Sequence, residues 1–78
     1  MPTVLRHGPC RFFFYAGNRD EPAHVHVERG DRVVRFWLDP VTLDSSGGFT
    51  RAEVSEIRRL VLRHRGQLLE IWDEYFRD

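Results

Sequence analysis

Lysine is absent from this sequence, and cysteine is nearly so. All twelve basic side chains are arginine. Arginine is the better fork for phosphate, but a uniform preference also follows from a GC-rich coding sequence, and composition alone does not separate the two. The lone cysteine, Cys10, excludes a disulfide within one chain. No stretch approaches the roughly 20 apolar residues of a membrane span, and no apolar run of signal length follows Arg6 and His7. Gly-rich phosphate loops, nucleophile elbows and zinc-finger spacings are also missing. A cytoplasmic protein with no membrane partner is the expectation. The formal net charge is zero, so no global attraction to nucleic acid operates.

What is there points to a folded domain. The apolar fraction of 41% argues against disorder, and 78 residues make one domain, 1–78. So short a chain buries a modest share of its surface, and a partner subunit or a metal often completes such a domain. Charge is uneven along it. Residues 51–65 carry five arginines against Glu53 and Glu56, whereas residues 67–78 carry four acids against Arg77.

Periodicity gives the elements. Thr3 to His7 reads as a short strand, Gly8-Pro9 as a turn, and the aromatic run Cys10 to Tyr15 as a second strand. Residues 16–23 read as a polar loop. His24-Val25-His26-Val27-Glu28 alternates with period two, as a half-buried strand does. Gly30-Asp31 suits a two-residue type II′ hairpin turn, and Val33 to Leu38 returns. Asp39-Pro40 ends that strand, and a long connection runs to Phe49. Thr50-Arg51-Ala52-Glu53 has capping-box spacing. Val54, Ile57, Leu60, Val61 and His64 form one helical stripe. Gly66 breaks or kinks the run, and Leu68, Ile71, Trp72, Tyr75 and Phe76 form a second stripe, read as core. The fold class is therefore α+β: a small antiparallel sheet of three to four N-terminal strands packed on two C-terminal amphipathic helices.

The hairpin turn fixes a register. Val27 opposes Val34 and Val25 opposes Phe36, forming the buried face. On the other face Glu28 opposes Val33, His26 opposes Arg35 and His24 opposes Trp37, with paired Cβ atoms about 4.5–5.5 Å apart. That second face, expected to turn away from the helices, gathers the candidate functional residues. Four readings compete for it. His24 and His26 could share a metal, with Glu28, Asp39 or His64 as third ligand; no other cofactor is implied. They could act as general acid and base in metal-independent RNA cleavage, with Arg35 on the phosphate and Trp37 or Tyr15 stacking a base. The face could bind a protein partner, through Trp37, Glu28 and Tyr15, since Trp, Tyr and Arg dominate interface hot spots. Finally, the histidines could be solvated strand residues or pack against the aromatic loop. Cys10 reads as a small apolar residue, and Arg59 and Arg63 as part of a solvated helix face that could also track a phosphate backbone.

Several segments in order carry a family resemblance: Met1-Pro2-Thr3-Val4-Leu5-Arg6, Arg11-Phe12-Phe13-Phe14-Tyr15, Glu21-Pro22-Ala23-His24-Val25-His26-Val27-Glu28, Phe36-Trp37-Leu38-Asp39-Pro40, Ser46-Gly47-Gly48-Phe49 and Trp72-Asp73-Glu74-Tyr75-Phe76. Together they resemble the bacterial domain-of-unknown-function family 4160. The resemblance implies a small bacterial protein encoded beside a member of domain-of-unknown-function family 2442, in a pairing similar to a type II toxin–antitoxin module. It supplies no catalytic residues. The expectation is a component of such a module, on the toxin side, acting on RNA or through a cognate small protein partner encoded nearby. The alternatives are a non-catalytic interaction or antitoxin-like regulatory module, and a small metal-binding domain. Homo-oligomerisation stays open.

Overall fold

A computed structural model of the chain describes residues 3–15, 17 and 20–77. Met1, Pro2, Asp78 and part of the loop expected over 16–23 (Ala16, Asn18 and Arg19) lie outside the described residues. Five strands come first: β1 (Thr3–His7), β2 (Cys10–Phe13), β3 (His24–Arg29), β4 (Arg32–Leu38) and β5 (Val41–Ser45). They form one antiparallel sheet in sequence order, so each strand pairs with the one before it. Two helices follow, α1 (Arg51–Arg63) and α2 (Arg65–Tyr75).

The α+β class is as the sequence predicts, with one strand more than expected. β5 occupies the first half of what reads as a loop. Its signal is the alternation Val41-Thr42-Leu43-Asp44, which the neighbouring Ser46-Gly47-Gly48 obscures. The 46–49 segment closes a tight turn, with Phe49 N–H donating to the Ser46 carbonyl at 3.0 Å. Gly47 has φ +58°, and a Cβ there would overlap the Val33 carbonyl. Only glycine combines that dihedral with so close an approach.

The β3–β4 register is the one the turn dictates: His24 pairs with Trp37, Val25 with Phe36, His26 with Arg35, Val27 with Val34 and Glu28 with Val33. Gly30 has φ +66° and Asp31 keeps a negative φ, in keeping with a type II′ turn. Arg29 and Arg32 face each other across the hairpin end, a repulsive pairing. Glu53 offsets it, accepting from Arg29 Nη2 at 2.6 Å and from Arg32 Nη1 at 3.3 Å. The same carboxylate accepts the Thr50 N–H at 2.9 Å while the Thr50 hydroxyl accepts the Glu53 N–H, so the capping box that starts α1 is formed. These contacts, with the Thr50 backbone bond foremost, hold the Glu53 carboxyl below its ordinary range.

The core lies between one sheet face and the helices. Phe12, Phe14, Val25, Val27, Val34, Phe36 and Leu38 meet Ile57, Val61, Leu68 and Trp72. The helix break falls at His64, two residues before the expected Gly66. Arg65, first in α2, ties the helix to the sheet: its Nε donates to the Leu38 carbonyl at 2.9 Å and its Nη2 to Asp39 at 2.7 Å. Of the three aromatics read as core at the end of α2, Trp72 is buried and Phe76 half-buried, but Tyr75 is exposed. It stands at the last turn, its ring beside Phe76 at 4.8 Å and Phe14 at 6.3 Å. No helix among the described residues is long and apolar enough to cross a membrane.

Candidate functional site

Period-two alternation sends Arg11 and Phe13 of β2, Glu28, His26 and His24 of β3, and Arg35 and Trp37 of β4 to the face opposite the helices. The face expected to be open is not. His24 is completely buried and His26 is 8% exposed. Three features close it over. First, Phe13, directly opposite His26, stacks on that imidazole with ring centroids 5.2 Å apart and planes 20° from parallel. Second, Tyr15 meets His26 edge-on at 4.5 Å. Third, residues 20–23 bring Glu21 and Pro22 onto the sheet.

Glu21 and Arg35 form the clamp of this face. Arg35 Nη2 donates to both Glu21 carboxylate oxygens, at 3.0 and 3.1 Å. Its Nε lies 3.3 Å from Asp44 Oδ2 on β5, and its guanidinium covers the Trp37 ring at 4.9 Å. The side chain expected to contact phosphate thus sits between two carboxylates and an indole.

His24 joins the two layers. Its ring lies 5.4 Å from Trp37 on one side and 5.0 Å from Trp72 of α2 on the other. Nδ1 donates to the Pro22 carbonyl at 2.9 Å; a carbonyl only accepts, so Nδ1 carries the proton. Nε2 lies 3.8 Å from Glu21. The expectation that His24 turns away from the helical layer is corrected by this contact: its buried ring meets Trp72 of α2.

Burial sets the protonation state. His26 is pushed from its ordinary 6.5 down to about 4, by desolvation first and then by the neighbouring His24 and Arg35. His24 is lowered too, again chiefly by desolvation. His26 Nδ1 is buried with no hydrogen-bond partner among the described residues. Both rings are therefore neutral near pH 7.

The structure brings Tyr15, His24, His26, Arg35 and Trp37 together. Glu28 instead accepts from Arg11 Nε at 2.9 Å, a bond that lowers its carboxyl below the ordinary range. The three side chains considered as a third metal ligand disperse: Glu28 to Arg11, Asp39 to Arg65, and His64 to the rings of Phe12 and His7. Among the described residues, no group of three or more His, Cys, Asp or Glu is arranged to hold a metal ion. Sequence reasoning missed Phe13, Glu21, Asp44 and Trp72. Phe13 and Asp44 were accessible from strand alternation. Glu21 reaches the site from a loop and Trp72 from the far layer, and neither leaves a local pattern.

A five-strand antiparallel meander backed by two C-terminal helices, with an aromatic and histidine cluster on its other face, is the class defined by fold and site. The chain belongs to the family described as "Domain of unknown function (DUF4160)", whose model matches residues 10–73. No curated protein and no solved structure matches it.

Proposed function

We propose that the chain is the partner-binding component of a bacterial toxin–antitoxin-like pair and acts through a protein contact rather than through its histidines. The observation that carries this reading is a hollow of about 260 Å³ lined by Pro22, Ala23, Trp37, Asp39, Pro40 and Thr42. It lies against β5, which among the described residues is an edge strand paired on one side only. From Thr42 to Ser45 that strand is exposed, including Leu43 at 41%. An unpaired strand edge supplies main-chain donors and acceptors for an added strand, and an adjoining apolar hollow receives one of its side chains. A partner segment in extended conformation, placing an apolar side chain over Trp37, suits both features. The neutral, buried state of His24 and His26 supports the same reading, because a general acid and base must reach the substrate.

The test is co-expression with the product of the neighbouring gene, for which a member of domain-of-unknown-function family 2442 is expected. A 1:1 complex should form. Thr42→Glu, at the exposed rim, should weaken it by about tenfold or more, as burying an unpaired charge at an interface does, with the melting temperature unchanged. His26→Phe should bind normally. RNA cleavage by the isolated chain, lost in a folded His26→Phe variant, would return the function to the histidines.

A further inference from the structure

A second cavity lies at the opposite end of the sheet. It has a volume of about 420 Å³ and opens between the β1–β2 turn, the end of β3 and α1. Its apolar lining is Pro9, Cys10, Ile57 and Leu60. Its polar lining comes from three elements: His7 closes β1, Arg29 closes β3, and Glu56 and Arg59 project from α1. Cys10 is buried, and its thiol is raised above its ordinary range, chiefly by desolvation.

The charges are not equivalent. Arg29 is held in place by Glu53 at 2.6 Å and by the Phe49 ring beneath its guanidinium at 5.4 Å. Arg59 is exposed, and no ion pair or side-chain hydrogen bond occupies its guanidinium among the described residues. The cavity thus has one guanidinium positioned by the fold and already paired with Glu53, and one, Arg59, with no such pairing among the described residues, beside the carboxylate of Glu56. A guanidinium binds carboxylate or phosphate through paired, charge-assisted hydrogen bonds. The remaining wall is apolar, and the volume falls within the range of small-molecule sites.

From this convergence we infer that the cleft between the β1–β2 turn and α1 binds a small organic acid, its carboxylate or phosphate on Arg59 and Arg29 and its apolar body over Ile57, Leu60 and Cys10. Arg59 is the specificity residue. Arg29, its charge met by Glu53, is a fixed second hydrogen-bond donor rather than a free cation, and His7 is a further polar group of the lining. Glu56 disfavours a second anionic group on the body of the ligand and so selects for acids whose negative charge is gathered at one end. This site is independent of the partner contact at β5, which lies at the other end of the same strands.

Titration of the isotope-labelled full chain with phenyl phosphate, benzoate and benzyl alcohol tests it by amide shifts. At least one of the two acids should give saturable shifts at His7, Cys10, Arg29, Ile57 and Leu60. Which one does so distinguishes a phosphate from a carboxylate ligand. Benzyl alcohol, an aromatic body without the charge, should bind at least about tenfold more weakly, and Arg59→Gln should cost the acid about tenfold or more, the range for a hydrogen bond to a charged group. Arg59 is exposed, so that variant keeps its fold, and an unchanged spectrum elsewhere verifies this. No saturable shift with either acid overturns the inference. So does equal binding of the alcohol, or an Arg59→Gln variant that binds as the parent does. Loss of the β5 contact in Thr42→Glu leaves these titrations unaffected.

Discussion

Acid should loosen this protein through His26 before it touches the carboxylates. In the folded chain His26 takes a proton only near pH 4, against 6.5 for an ordinary histidine. Between those values the unfolded chain binds a proton that the folded chain refuses. By linkage, stability then falls as pH drops through that window; it is fully present above about pH 6.5 and fully lost below about pH 4. At about 1.4 kcal/mol per pH unit the gap amounts to at most ~3.5 kcal/mol, against a total of roughly 4–12 kcal/mol for a domain this size. His24, lowered in the same direction, steepens the loss. The other charged groups at the ring are Arg35, which opposes its protonation, and Glu21, which favours it. Glu28 and Glu53 are held below their ordinary 4.5. Their contribution is present above that value and is lost only as pH falls below it, so the interval above about pH 4.5 belongs to the histidines. Urea unfolding followed from about pH 7 to about pH 4.5 should show stability declining throughout. His26→Phe, which keeps a ring between Phe13 and Tyr15 but cannot titrate, should flatten most of the decline. Parallel curves for the two proteins would refute the reasoning, as would a His26 ring titration by NMR with its midpoint above about pH 6.

Two further outcomes follow from single contacts. Gly47→Ala should destabilise by ~2–4 kcal/mol in urea melts, because the added methyl meets the Val33 carbonyl and the residue keeps a left-handed dihedral; an unchanged midpoint would mean that the 46–49 turn does not rest on β4. Thr50→Ala should cost ~1 kcal/mol, the usual value of an N-cap hydroxyl, and amide exchange should rise first at Glu53, the donor that loses its acceptor.

Much of the fold is legible in local pattern. The hairpin from His24 to Leu38 is specified twice, by the Gly30-Asp31 turn and by the Val25/Val27 and Val34/Phe36 alternation, and a slip of one residue would turn every valine to the wrong face. The start of α1 is specified by Thr50 and Glu53 together. β5 is specified only once, by its alternation, and four small or turn-forming residues directly after Asp44 outweigh that signal. The helix break at His64 has no sequence marker stronger than Gly66. Directly after it Arg65 reaches the Leu38 carbonyl and Asp39 across the layer boundary, and such a tertiary contact leaves no periodicity behind.

The site shows where local reading stops. His24, His26, Arg35 and Trp37 share a face because of register, and register is legible. Whether that face is wet depends on Glu21, Pro22, Phe13 and Trp72, which reach it from a loop, a neighbouring strand and the opposite layer. The same four side chains describe a catalytic surface if solvent reaches them and a buried polar cluster if it does not. Arg35 makes the difference concrete. On an exposed strand its guanidinium would be available to phosphate; here Glu21 and Asp44 already supply the two anions, and displacing them would leave two carboxylates beside neutral imidazoles. A phosphate ligand would therefore have to compensate for breaking the clamp that holds residues 20–23 on the sheet. A strand added at β5 asks for no such rearrangement. That difference in cost favours a protein contact for this end of the molecule.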